Sequence, residues 1–228
     1  MAKKKALALY TGGKDSHYAI LKAQENGYII DLVVIVHSAR EDSWMFHTVN
    51  TRWAKLHVKA MGKQLVELKV SGEKEKEINE LLEHLKKLKN KYDFEAIVTG
   101  AVASKYQKKR VDLIAENLDV EHFSPLWGLN QEDVLREEVE RIEFIITAVQ
   151  AYGLTDKWLG QRIDRNNVEE FLMVCRKYQI SPVGEGGEFE TFVLYSPLMS
   201  KRIRILKARK EWYPQGYGYY IIDEAVLE

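Results

Sequence analysis

Gly12 and Gly13 stand between two very different stretches of chain. Residues 6–10 (ALALY) are a short, continuous apolar run, the pattern of a strand buried on both faces of a parallel sheet. Residues 16–25 read as a helix, with Gly27 placed to end it, and residues 30–36 (IDLVVIV) read as a second buried strand. Strand, loop, helix and strand in this order make one βαβ unit, which requires helices packed on a sheet. In the loop Thr11-Gly12-Gly13-Lys14-Asp15-Ser16, free amide N–H groups and the positive end of the helix dipole converge, so an anion belongs there. The glycines let the backbone approach a phosphate, Lys14 adds a point charge, Ser16 can cap the helix or donate to an oxygen, and Asp15 is a candidate Mg²⁺ ligand. The spacing fits neither the Walker phosphate loop nor the dinucleotide fingerprint.

The pattern then repeats. Thr51 to Met61 reads as a helix, Leu65 to Val70 as a strand, and Glu75 to Tyr92 as a helix with Ile78, Leu81, Leu82, Leu85 and Leu88 on one stripe. Glu95 to Thr99 (EAIVT) is the next strand, followed by a helix around Arg110 to Asn117. Such alternation predicts a doubly wound, mainly parallel α/β sheet. After Pro125 the texture changes. Asn130 can cap a helix running to about Arg141, Glu143 to Gln150 reads as a strand, and Val168 to Tyr178 reads as a helix. From Phe189 onward the chain is β-rich, including Arg202 to Ala208 and Tyr217 to Ile222 joined by a turn at 214–216. We therefore expect a first domain over 1–127 and a smaller C-terminal α+β domain over 128–228.

Composition narrows the function. Lys+Arg and Asp+Glu are both 34, so the formal net charge is +0, without the basic excess expected of a protein gripping a phosphate backbone; direct nucleic-acid binding is not expected. The single cysteine, Cys175, allows no internal disulfide and no paired-cysteine metal or redox site, which suits a reducing compartment. The apolar run after the basic N-terminus is too short for a signal peptide, and no stretch approaches the ~20 apolar residues of a membrane span. The expectation is a cytoplasmic protein with no membrane contact.

TGGKDS resembles the SGGxDS signature of the PP-loop ATP pyrophosphatases, with Thr11 keeping the hydroxyl of the first serine. The resemblance implies a HUP/PP-loop fold that cleaves ATP between the α and β phosphates. Thr11, Gly12, Gly13, Lys14, Asp15 and Ser16 would bind the nucleotide, joined by Ser38 at the end of the second strand, and Asp15 would hold Mg²⁺. Three further segments resemble the diphthine–ammonia ligases within that superfamily: Asp42-Ser43-Trp44-Met45-Phe46-His47-Thr48-Val49, Gly100 through Gln107 to Arg110-Val111, and Gly184-Glu185-Gly186-Gly187-Glu188-Phe189-Glu190-Thr191-Phe192. With Pro125-Leu126-Trp127 and Asn130 to Asp133, the likeness covers nearly the whole chain. It implies that diphthine on translation elongation factor 2 is adenylated by ATP and captured by ammonium, giving diphthamide, AMP and pyrophosphate. Lys14, Asp15 and Arg110 are then the catalytic candidates. Asp42, His47, Ser104, Tyr106, Gln107, Glu185, Gly186, Gly187, Glu188 and Glu190 are the substrate-binding ones.

Two other readings share the loop. A PP-loop tRNA-modifying ligase needs either a sulfur-carrying cysteine, for which Cys175 is a poor candidate, or a basic face, for which Lys105, Lys108, Lys109 and Arg110 offer only a local patch. A non-catalytic ATP-binding sensor would release neither AMP nor pyrophosphate. No glutaminase segment is recognisable, so free ammonium is the expected nitrogen donor. Trp212, Tyr213, Tyr217, Tyr219 and Tyr220 suit packing against the core or a second subunit of a homodimer. His57, His84 and His122 are assigned no chemistry, and Trp127 and Trp158 are read as packing.

Overall fold

The computed structural model describes residues 3–39, 50–73 and 76–228; Asp42, Trp44 and His47 lie outside the described residues. The first half alternates as expected: β1 (Lys5–Leu9), α1 (Lys14–Glu25), β2 (Ile29–Ser38), a 3-10 turn (Thr51–Trp53) running into α2 (Ala54–Ala60), β3 (Gln64–Val70), α3 (Lys76–Tyr92), β4 (Ala96–Val98), α4 (Lys105–Asn117) and β5 (Glu121–Phe123). The five strands pair in parallel in the order β3-β2-β1-β4-β5. Period-two alternation buries both faces: Ala6 and Ala8 of β1 join the core beneath α1 and α2, while Leu7 joins Leu81, Leu85, Val111 and Ile114 of α3 and α4 on the other side.

The second half comprises α5 (Gln131–Arg141), β6 (Glu143–Val149), β7 (Arg162–Ile163), α6 (Val168–Tyr178), β8 (Phe189–Tyr195), β9 (Ile203–Tyr213) and β10 (Tyr217–Leu227). Here β6 pairs antiparallel with β8 along one edge and with β7 and β10 along the other, and β9 continues the sheet beyond β10. Asn130 caps α5 as expected, its side-chain oxygen accepting from the Glu132 and Asp133 amides.

Three local expectations shift. The helix expected around Arg110 begins at Lys105, because the Ser104 hydroxyl accepts from the Gln107 amide and starts it earlier. The final hairpin runs eleven residues in each strand, farther than its apolar segments, because the Lys, Arg and Glu between them point outward from a continuous ladder. Three-residue β5 was not foreseen, since Glu121, His122 and Phe123 carry no apolar run.

The two sheets share one core. A single apolar cluster runs from Ala8, Tyr18 and Val58 through Leu126, Leu135 and Phe144 to Phe171, Phe192 and Ile222. Asn50, Arg52 and Trp53 tie the first half to β10: Asn50 donates to Tyr220 O and accepts from the Ile222 amide, while Arg52 and Trp53 both donate to Ile222 O. Cys175 lies in this core, and burial pushes its thiol up to about 12. Among the described residues no helix is long and apolar enough to cross a membrane.

Under the glycine loop, the core contains a polar seam. Tyr10 Oη lies 2.8 Å from His17 Nδ1, whose Nε2 lies 2.6 Å from Ser196 Oγ, and His57 donates to Val193 O at 2.6 Å. Both histidines are fully buried. Burial, helped by the neighbouring His57, pulls His17 well below its ordinary value, and burial takes His57 down to about 4. Folding therefore needs both imidazoles neutral. The unfolded chain binds their protons near pH 6.5, so the stability they contribute is full above that value and is lost as pH falls toward 4. For His57 alone the loss amounts to roughly 3 kcal/mol. Denaturant midpoints taken at intervals between pH 7 and 4 should fall accordingly; a flat profile would show that the two rings are not held neutral.

Candidate functional site

The order β3-β2-β1-β4-β5 reverses direction between β1 and β4, and open α/β sheets bind ligands in the crevice outside the carboxyl ends of strands at such a switch. A cavity of about 190 Å³ lies at this position. Thr11, Gly13, Asp15 and Ser16 line it from the β1–α1 loop, and Thr99, Gly100, Ala101, Gln107 and Val111 from β4 and α4. Leu9 and Val36 add apolar surface, and Val183, Gly184, Glu185, Phe189, Glu190 and Thr191 close it from the second half. A polar end beside the loop and an apolar end between Leu9, Val36 and Val111 suit a ligand with a charged group and a flat or greasy one.

The loop is shaped by its own hydroxyls. The Gly13 amide donates to Thr11 Oγ1 at 3.3 Å, Ser16 Oγ lies 3.1 Å from Thr11 Oγ1, and Ser16 donates to Gly13 O at 3.1 Å. Gly12 needs its glycine: its φ is +91°, and a Cβ there would meet the Ala54 Cβ at 3.2 Å. Thr191 of β8 accepts from the Lys14 amide at 3.1 Å, so the first turn of α1 has a partner from the far end of the chain.

Lys14 does not reach the cavity. As the first residue of α1 it turns its side chain inward, is 0% exposed, and places Nζ 2.6 Å from Asp15 Oδ1, 3.1 Å from Glu138 Oε2 and 3.2 Å from Val183 O. Burial works against its charge, but Asp15 and Glu138 outweigh it and hold Lys14 above the usual lysine value. Burial also pushes the Glu138 carboxyl well above the ordinary range, and the charge of Asp15 adds to the push. The expectation that Lys14 faces a phosphate gives way to a geometry in which its ammonium stitches α1 to α5 from inside.

Arg110 also takes a different place from the one expected. Its guanidinium stacks on the Tyr106 ring at 3.2 Å and donates to Tyr106 O at 3.4 Å, one turn back along α4. Neither Arg110 nor Tyr106 lines the cavity, whereas Gln107 on the next face of the helix does. Ser38, at the end of β2, is likewise outside the lining.

The acidic segment divides its carboxylates among separate tasks. Glu185 accepts from the Ser104 amide at 2.7 Å and the Val102 amide at 3.2 Å, bridging the second half to the N-terminus of α4. Burial holds its carboxyl above the usual range despite the backbone N–H groups of Ser104, Ala103 and Val102. Glu188 turns back on its own loop, accepting from the Gly186 amide at 2.7 Å and the Ser181 amide at 3.3 Å. Of the three, Glu185 and Glu190 line the cavity; Glu188, Gly186 and Gly187 do not. Among the described residues no group of three His, Cys, Asp or Glu is arranged to hold a metal ion. Asp15, the one carboxylate of the loop itself, suits a Mg²⁺ that arrives bound to phosphates.

Sequence reasoning passed over Tyr10, Thr99, Glu138 and Thr191. Thr191 stood inside the Gly184–Phe192 segment and Thr99 closed the EAIVT run, so position marked both. Glu138 had no local signal, being one glutamate on the charged helix α5.

The family models and the curated relatives point to one family. The family model described as the diphthamide synthase N-terminal domain matches residues 4–122, and that of the diphthamide synthase C-terminal domain matches residues 130–227. A curated diphthine–ammonia ligase of Rattus norvegicus is 36% identical over 217 residues, covering 86% of this chain and 80% of that protein. The Homo sapiens protein of the same name is 35% identical with the same coverage. One from Schizosaccharomyces pombe is 33% identical over 98% of this chain and 40% of its own, longer sequence. A solved structure described as a predicted subunit of tRNA methyltransferase from Methanocaldococcus jannaschii aligns with 15% identity and a TM-score of 0.44, over 85% of this chain and 98% of its own.

Proposed function

The chain belongs to the diphthamide synthase family, and from that premise we propose that it adenylates the carboxylate of diphthine on translation elongation factor 2 and converts it to the amide with ammonium. It is an ATP-dependent carbon–nitrogen ligase. The observation that carries the reading is the cavity at the β1/β4 switch, which Thr11, Gly13, Asp15 and Ser16 line from the loop and Glu185 and Glu190 line from the acidic segment. In this reading the N-terminus of α1 receives the departing pyrophosphate, because its amides and dipole favour negative charge. Mg²⁺ would share the phosphates with Asp15 and neutralise charge that builds on them. Glu185 and Glu190 place negative charge opposite the loop, where the trimethylammonium group of diphthine or the incoming ammonium is the complementary cation. Activation of a carboxylate needs positioning and charge neutralisation rather than a nucleophilic side chain.

The deciding assay mixes the protein with ATP, Mg²⁺, ammonium and elongation factor 2 bearing diphthine. The expected result is release of AMP and pyrophosphate that depends on the factor, with the acid-to-amide mass change on the factor itself. Turnover with tRNA in place of the factor, or nucleotide binding without either product, would sink the substrate assignment.

A further inference from the structure

Thr99 follows β4 and lines the cavity, and its hydroxyl meets a histidine and a carboxylate in series. Thr99 Oγ1 lies 2.7 Å from His122 Nε2, and His122 Nδ1 lies 2.6 Å from Asp112 Oδ1. His122 comes from β5, the strand beside β4, and its side chain is 3% exposed. Asp112 comes from α4, where the Lys108 ammonium donates to both of its oxygens, at 2.8 Å to Oδ1 and 2.7 Å to Oδ2.

These partners fix where the protons are. A carboxylate paired with an ammonium only accepts, so Asp112 takes the N–H of His122 Nδ1. With Nδ1 carrying a proton, the neutral form of the imidazole presents Nε2 as an acceptor to the Thr99 hydroxyl. Burial keeps His122 below its ordinary value, with Asp112 pulling it up and Lys108 pushing it down. Ser124 Oγ, which donates to Ala101 O at 3.1 Å, is a second and longer acceptor for the Thr99 hydroxyl at 3.4 Å, against 2.7 Å to His122 Nε2. The Thr99 oxygen is thus an acceptor backed by a proton sink, the order of groups by which a hydroxyl relays a proton to a histidine. Gly100, the next residue, packs on the backbone of Asp15 and Ser16, so this acceptor stands beside the N-terminus of α1.

We propose that Thr99, backed by His122 and Asp112, takes the proton from the nitrogen nucleophile as it adds to the activated carboxyl; the proposal rests on the amidation reading above. The nitrogen lone pair forms the C–N bond while the carbonyl π pair moves to oxygen. One N–H proton passes to Thr99 Oγ1 as the threonine's own proton passes to His122 Nε2. The carbonyl re-forms, and AMP leaves with the electrons of the C–O bond. Asp112 stabilises the imidazolium, which returns its proton to water along the half-exposed carboxylate. The sum is acyl adenylate and ammonia giving amide, AMP and one proton. Thr99 is the catalytic residue in this scheme, and His122 and Asp112 are positioning residues.

The test uses the full chain with Thr99→Val, Thr99→Ser and His122→Asn, and three readouts: ATP–pyrophosphate exchange with the diphthine-bearing factor, amide formation with ammonium, and hydroxamate formation with hydroxylamine, a nucleophile that needs little help from a base. T99V and H122N should lose amide formation by on the order of 100-fold while exchange and hydroxamate formation stay within about twofold. T99S should restore the amide rate. Amide formation by the unsubstituted protein, expressed per free ammonia, should fall as the pH drops through the lowered His122 value, and H122N should lack that limb. Parallel loss of all three readouts would mean that Thr99 holds the nucleotide, through a ribose hydroxyl or the adenine amino group, and would overturn the proposal; so would full retention of amide formation. Absence of exchange in the unsubstituted protein would remove the amidation reading, and the proposal with it.

Discussion

Alanine at position 100 should bring kcat/KM down by at least about 100-fold while leaving most of the chain folded. A Cβ on Gly100 would lie 2.5 Å from Asp15 C and Ser16 N and 2.7 Å from Asp15 O. All three atoms are backbone, so no side chain can swing aside. Either β4 or the first turn of α1 must move, and that turn carries the amides on which the proposed pyrophosphate site depends. A displacement of about 1 Å at a reacting centre is enough for losses of this size. Pyrophosphate release and nucleotide affinity, measured on the same preparation, check the expectation. Gly62→Ala is the control: with φ +64° and nothing within 4 Å of its Cβ, it should cost stability alone, about 1 kcal/mol. If Gly100→Ala turned over like the unsubstituted protein, the close approach of β4 to α1 would be wrong.

The second large effect concerns the ion pair between the halves. Lys14 and Glu138 are each 0% exposed, and their charged ends lie 3.1 Å apart. Glu138→Ala removes one of the two carboxylates that hold the buried ammonium, and breaking such a pair should cost about 3–5 kcal/mol. Lys14→Met should cost less at low pH than at neutral pH, because Glu138, already pushed upward by burial, takes a proton once its partner is gone. Replacing both groups by apolar ones of similar volume, Lys14→Met with Glu138→Leu, should recover much of the stability lost in either single variant. Denaturant unfolding of the four proteins gives the coupling directly. Additive losses would show that the pair is not a pair in solution.

The parallel sheet was legible because each of its longer strands is a local run: ALALY, IDLVVIV and EAIVT announce themselves within a few residues. The glycine loop was legible for the same reason, its neighbours in sequence being its neighbours in space. What the loop's side chains do was not. Lys14 and Glu138 are separated by most of the first half of the chain and meet only because α5 packs on α1, a placement that no periodicity encodes. Ser104, read as a substrate contact, marks the start of a helix; its hydroxyl caps and its amide binds Glu185. The acidic segment stood out as a group of carboxylates, but whether each turns to the cavity, to an amide or to its own loop depends on φ-positive glycines at 184 and 187 whose course sequence does not reveal. His57 and His122, assigned no chemistry from sequence, are each tied to a residue on another element, as is His17.

Three contacts beneath the nucleotide loop come from the last fifth of the polypeptide: Val183 O and Thr191 Oγ1 accept from Lys14, and Val193 O accepts from His57. A ribosome delivers the loop early and these partners late. N-terminal segments fold first during synthesis, so the parallel sheet can assemble while its loop still lacks the hydroxyl that steadies the Lys14 amide. Until residues 183–193 have emerged, the loop and His57 lack these three acceptors.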